Sequence, residues 1–124
     1  MPDNNSPAPT ISTSELQDLQ DGISASIQTI LKAYDACNDP VESATLLNQS
    51  HQLSAQMSQI ETALFHQQAV NATATVSSAF TSAQGFIAEL NGLTTQLEKV
   101  SAIITAAAKL VGVVAQILPY LAVL

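Results

Sequence analysis

The sequence is short of charged and bulky side chains, and each shortage argues against a class of protein. It has no tryptophan, no arginine and three lysines, and charged residues make up 10% of its 124 positions, against about 25% in an ordinary soluble domain. A nucleic-acid-binding protein needs clustered cations to neutralise phosphates, and three lysines in a chain of net charge −7 do not provide them. We therefore expect no nucleic acid among its partners.

Cysteine, glycine and proline are scarce too. The single cysteine, Cys37, argues against a disulfide framework, and we expect its thiol to be a small apolar filler near a helix end. The chain has four glycines and no proline between Pro40 and Pro119, which leaves too few turn residues for a β-sandwich or a β-barrel. The sequence thus favours an all-α fold.

Residue patterns that carry catalytic or metal chemistry are also missing. There is no glycine-rich phosphate loop, no Gly-X-Ser-X-Gly and no His-Glu-X-X-His. His51 and His66 fall on one predicted helix, about 22 Å apart along its axis, which is too far for them to share a metal ion. The sequence predicts a non-enzymatic protein without a cofactor or a bound metal.

The chain is instead rich in uncharged polar residues and alanine, and its charge is distributed asymmetrically. Serine, threonine, asparagine and glutamine supply 42 residues and alanine supplies 19. Residues 1–42 hold seven of the ten acids and one lysine, a net charge of −6, whereas residues 43–124 hold three acids and two lysines, a net charge of −1. Such an acidic chain is not attracted to anionic lipid, so any membrane contact must be hydrophobic.

The N-terminal stretch, residues 1–11, contains three prolines and several small polar residues, and we expect it to be a disordered tail. It has neither a basic start nor an apolar stretch, so it is not a Sec signal peptide. Its composition also resembles the loose export signals of injection-type bacterial secretion systems. The open alternatives are a cytoplasmic protein with an ordinary flexible tail and a secreted effector exported by a non-classical route.

Two amphipathic helices are predicted after this tail. Ser12 and Glu15 form a capping-box pattern, and apolar residues then recur every three or four positions until the chain approaches Pro40. Asp39 is the predicted cap of the second helix, and Pro40 is its first residue. The apolar stripe of the second helix consists of Leu46, Leu53, Met57, Ile60 and Leu64. This stripe then fades, and we predict a turn between residues 67 and 75.

A third apolar stripe begins at Val76 and repeats every seven residues. All fourteen positions of the two series that start at Val76 and Ala79 are apolar. Because the series keeps its phase past Gly92, we favour one continuous helix over residues 76–118, supercoiled against its neighbours. The alternative is a break at Asn91 and Gly92, which would give four helices instead of three.

The C-terminal segment is the most apolar part of the chain, with 19 apolar residues among residues 100–124. A third helix of about 65 Å would overhang the two shorter helices and leave this segment uncovered. A helix that is apolar nearly all round is buried in a core or in lipid. The predicted membrane or interface residues are Ile103, Ile104, Leu110, Val111, Val114, Ile117, Leu118 and Leu121. The predicted polar stripe on the same helix is Thr105, Lys109 and Gln116.

These features predict an all-α, up-and-down bundle of three or four long, coiled-coil-like helices. Residues 1–11 would be the tail, residues 12–98 an amphipathic bundle, and residues 99–124 a strongly hydrophobic helical segment. This layout resembles the architecture of helical pore-forming toxins and secretion translocators. We expect a membrane-associating protein that uses the C-terminal helix as its lipid-facing element. The alternative is a self-assembling homo-oligomeric scaffold, or a subunit that binds a partner helical protein through the same helix.

Overall fold

Four long helices account for most of the chain in the computed structural model, which describes residues 10–66, 70–71, 74–94 and 99–121. The helices are α1 (Thr13–Ala36), α2 (Pro40–Phe65), α3 (Ala74–Leu93) and α4 (Val100–Leu121). The two-residue strands β1 (Thr10–Ile11) and β2 (Val70–Asn71) pair in an antiparallel manner. The all-α prediction is confirmed, with four helices instead of the favoured three.

The first two helices begin where their capping residues predict. The Ser12 hydroxyl accepts a hydrogen bond from the Glu15 N–H at 3.1 Å, and the Glu15 carboxylate accepts one from the Ser12 N–H at 3.0 Å. At the start of α2, one carboxylate oxygen of Asp39 accepts from the backbone N–H groups of Val41 and Glu42, at 2.8 and 3.0 Å. These bonds satisfy N–H groups that have no partner within the helix.

The helices form two hairpins that lie side by side. The connection between α1 and α2 spans only residues 37–39, so these two extensively packed helices run antiparallel, and α3 packs as extensively on α4. Across the bundle, α1 lies beside α3 and α2 beside α4. Hydrogen bonds from α2 to α4 advance by seven residues on both helices, so these neighbours run parallel.

The continuous helix predicted over residues 76–118 is wrong, and the alternative of four helices is confirmed, although Asn91 and Gly92 themselves lie within α3. α3 ends at Leu93, one residue after Gly92, and α4 begins at Val100. The chain therefore folds back, and the predicted overhang does not exist. α4 shares one core with the other helices.

One of the two seven-residue apolar series shifts by one residue across this break. The seven-residue series from Val76 would place Ile104 and Val111 at the centre of the buried stripe. Both are only half-buried, whereas Ile103 and Leu110, one residue earlier, are fully buried. The second series keeps its positions, because Ala107, Val114 and Leu121 are all buried. The core-facing surface of α4 is therefore rotated by less than the roughly 100° that one residue represents on a helix.

At the N-terminal end, the predicted tail is ordered over its last two residues. Thr10 pairs with Asn71 and Ile11 with Val70, and the Ile11 side chain is buried in the core. Residues 1–9, which make up the rest of the predicted tail, lie outside the described part of the chain.

Candidate functional site

The inner face of α4 carries the predicted interface residues, and the bundle itself covers them. Three of these residues are half-buried against the core: Ile104, Val111 and Leu118. The other five are buried: Ile103, Leu110, Val114, Ile117 and Leu121. The sequence led us to expect that lipid or another protein covers this face. In the structure, α2 and α3 of the same monomer cover it.

The outer face of α4 carries the predicted polar stripe. Thr105, Lys109 and Gln116 are all exposed, on the same side as Gly112. The Lys109 Nζ atom lies 5.8 Å from the centroid of the Phe86 ring on α3, a cation–π distance that ties the two helices of this hairpin together. The remaining exposed residues of α4 are Ser101, Ala108, Ala115, Pro119 and Tyr120.

Two glutamines of α2 are buried against α4. The Gln49 Nε2 atom donates to the Ile104 carbonyl at 3.0 Å, and the Gln56 Nε2 atom donates to the Val111 carbonyl at 3.0 Å. The side chains are only 5% and 7% exposed. Each amide therefore reaches across from one helix to the backbone of its parallel neighbour, in two layers that are seven residues apart.

The amide oxygens of these glutamines are less well satisfied than their nitrogens. Gln49 Oε1 and Gln56 Oε1 are both buried without a hydrogen-bond partner. A buried acceptor atom that has lost its water and gained no donor lowers the free energy of unfolding by about 1–3 kcal/mol. The contact between α2 and α4 is consequently weaker than an apolar contact of the same size.

The other pair of parallel neighbours, α1 and α3, also meets through polar and small residues. Thr29 Oγ1 lies 2.7 Å from Thr94 Oγ1, and Thr29 is buried. One heptad earlier, Gly22 faces the side chain of Ile87, so closely that a Cβ atom on the glycine would lie 2.7 Å from Ile87 Cδ1. Glycine at this position therefore permits the close approach of the two helices.

These contacts define one interface, which we call the hairpin seam: the surface where the α1/α2 hairpin meets the α3/α4 hairpin. The two sides of the seam differ in charge. α1 and α2 carry six acids and one lysine, whereas α3 and α4 carry one of each, Glu89 and Lys109. The seam thus separates an acidic hairpin from a nearly uncharged one.

Sequence reasoning missed the buried glutamines. The predicted stripe of α2 followed its apolar residues and passed over Gln49 and Gln56. The available signal was the seven-residue spacing of Gln49, Gln56 and Ala63, three residues after Leu46, Leu53 and Ile60. This is the a-and-d pattern of a coiled coil with polar residues at two d positions, and Ala63 is indeed buried.

The described residues include no group of three or more His, Cys, Asp and Glu side chains that could hold a metal ion. His51 and His66 are both exposed, and Cys37 is half-buried at the end of α1, where its thiol lies 3.6 Å from the Asp39 carbonyl oxygen. α4 is the one described helix long and apolar enough to cross a membrane. No protein-family model, curated protein or solved structure matches the chain.

Proposed function

We propose that this protein is a non-enzymatic helical bundle that associates with lipid membranes through α4. The observation that carries the proposal is the length and composition of this helix. Its 22 residues span about 33 Å, enough for a hydrocarbon layer of about 30 Å, and Lys109 is its single charged residue. The core helix of a soluble bundle can have the same composition, so the proposal depends on whether α4 leaves its bundle.

The energetics make insertion of α4 conditional. Ten Ile, Leu and Val residues at about −0.3 to −0.6 kcal/mol each favour insertion by roughly 4–5 kcal/mol, and one central lysine opposes it by about 3 kcal/mol. The net free energy that favours insertion is therefore small, and the closed bundle already buries most of the same side chains. We therefore expect α4 to remain in the bundle in water and to enter lipid only when the bundle opens.

Flotation with neutral phosphatidylcholine vesicles tests this function. Ala108 and Ala115 lie on the outer face of α4 and are exposed in the closed bundle, so Ala108→Asp with Ala115→Asp should leave the fold intact. Each charge opposes insertion by about 3 kcal/mol near the helix centre, so we expect vesicle retention to fall at least tenfold.

The matched control places the same charges on α2, at exposed Ala44 and Ala55. Ala44→Asp with Ala55→Asp should float as well as the unmodified protein, and circular dichroism should show equal helicity for both variants. The function is wrong if the unmodified protein stays with the unbound fraction, or if both variants float equally.

Self-assembly through the outer face of α3 and α4 is the second candidate, and open glycines favour it. Gly85 and Gly92 on α3 and Gly112 on α4 have no atoms within 4 Å of where a Cβ would stand. Each lies in a helix, where glycine lowers stability by about 1 kcal/mol relative to alanine, and no contact among the described residues requires it. Sedimentation velocity without lipid would reveal an oligomer, and Gly85→Leu with Gly112→Leu should dissociate it.

A further inference from the structure

We propose that the bundle has a built-in line of opening at the hairpin seam, along which it separates into two intact hairpins. The inference concerns the protein in water and holds whether or not the protein binds lipid. It rests on where the buried polar side chains lie and on what each of them contacts.

Hydrogen bonds between helices are concentrated at this seam. Among the described residues, three such bonds involve a side chain on one helix and an atom contributed by the opposite hairpin: Gln49 to the Ile104 carbonyl, Gln56 to the Val111 carbonyl, and Thr29 to Thr94. Each of the three crosses from the α1/α2 hairpin to the α3/α4 hairpin. Water can replace all of these bonds when the seam opens, so little hydrogen bonding is lost.

The unpartnered oxygens add a driving force for opening that is specific to this interface. Gln49 Oε1 and Gln56 Oε1 gain water only if α2 and α4 separate. Separation of α3 from α4 would recover no such hydration, and it would break the Lys109 contact with Phe86. The seam is therefore the interface where exposure to water is least unfavourable.

The α1 side of the seam is built in the same way. Gly22, Ser26 and Thr29 follow one another at steps of four and three residues, so they lie on one face of α1. Gly22 packs on Ile87 of α3, Thr29 contacts Thr94 directly after the end of α3, and Ser26 between them is buried. This face contributes little apolar area to the seam, so the two parallel helix pairs can separate in a single movement.

Thiol labelling of a cysteine at position 26 measures this opening. With Cys37→Ser to remove the native thiol, Ser26→Cys is a near-isosteric probe, 2% exposed as serine, and Thr29→Cys is a second probe. We expect labelling in native buffer, with a rate whose dependence on urea is weaker than that of global unfolding, because the helices stay folded when the seam opens.

Substitution on the far side of the seam then tests whether it opens as one unit. Gln49→Met with Gln56→Met removes the unpartnered oxygens at similar volume, and we expect labelling at position 26 to slow about tenfold. The control, Gln52→Met with Gln59→Met, changes exposed glutamines of the same helix and should leave the labelling rate unchanged. Labelling with the full urea dependence of unfolding, or labelling that Gln49→Met with Gln56→Met does not slow, overturns the proposal.

Discussion

At the scale of single residues, the molecule uses small and polar side chains where a stable bundle would ordinarily place apolar ones. Gln49 and Gln56 occupy core positions of α2, and each leaves an amide oxygen without a donor. Polar groups at such positions lower stability, but they favour one register, because each amide must reach a particular carbonyl. The two glutamine bonds thus favour one register of α2 against α4.

Gly22 and Gly85 should respond in opposite directions to alanine. At Gly22, a methyl group would meet Ile87 atoms at 2.7 and 3.0 Å, so Gly22→Ala should lower the free energy of unfolding by about 1 kcal/mol after its gain in helix propensity. At Gly85 the space around the glycine is open, and Gly85→Ala should raise the free energy of unfolding by about 0.5–1 kcal/mol. Urea denaturation measures the change in the free energy of unfolding for both variants. Changes of the same sign would contradict the close approach of α1 to α3.

At the scale of elements, the placement of α4 is the feature on which the sequence pattern and the structure differ. Its seven-residue pattern fits two folds, a long strut or a helix that folds back after a break, and the pattern alone favoured the strut. The break after Gly92 places α4 on α2 and α3. The fold-back is favourable because it buries Ile, Leu and Val side chains that the strut would expose to water.

Adjacent isoleucines on α4 test the phase of this helix. Ile103 is fully buried and Ile104 half-buried. Ile103→Ala should therefore lower the free energy of unfolding by about 2–5 kcal/mol, and Ile104→Ala should have less than about half that effect. The continuous helix over residues 76–118 would predict the reverse order, so chemical denaturation of the two variants distinguishes the folds directly.

At the scale of the whole molecule, the bundle is two hairpins of different character. The α1/α2 hairpin is acidic, whereas the α3/α4 hairpin is nearly uncharged and contains the most apolar helix. A protein built in this way can store an apolar helix in water. If the seam opens as we propose, its stability sets how readily the helix is released.

A disulfide across the seam should lock the closed form. The hydroxyls of Thr29 and Thr94 are 2.7 Å apart, so Thr29→Cys with Thr94→Cys, in a Cys37→Ser background, should form a bond on oxidation. The loop it closes should raise the free energy of unfolding by about 2–4 kcal/mol over the reduced form of the same protein. If membrane association requires an open seam, only the reduced form should float with vesicles.

The outcomes of this experiment separate the proposed function from the seam. Flotation of the oxidised protein would mean that membrane association does not require opening at this place. Absence of flotation in both redox states would contradict the membrane function and leave the labelling of Ser26→Cys as the measure of opening.

Much of the fold follows from the sequence because helix caps and apolar spacing are local signals. Ser12, Glu15, Asp39 and Pro40 determine where α1 and α2 begin, and the hydrogen bonds of their caps are present in the structure. The loss of the apolar stripe after Leu64 located the connection between α2 and α3. The exposure of Thr105, Lys109 and Gln116 also follows from their spacing on one helix face.

The sequence by itself thus determined four features: the helical class, the caps, the acidic first half and the apolar character of α4. The tertiary structure alone decided that α4 folds back, that Ile103 and Leu110 are buried more deeply than Ile104 and Val111, and that Gln49 and Gln56 lie in the core. The reason is that periodicity describes one helix at a time, whereas burial depends on which helices are neighbours. A glutamine at a core position has the same sequence pattern as one at the surface until a carbonyl of the neighbouring helix lies within 3.0 Å of its amide nitrogen.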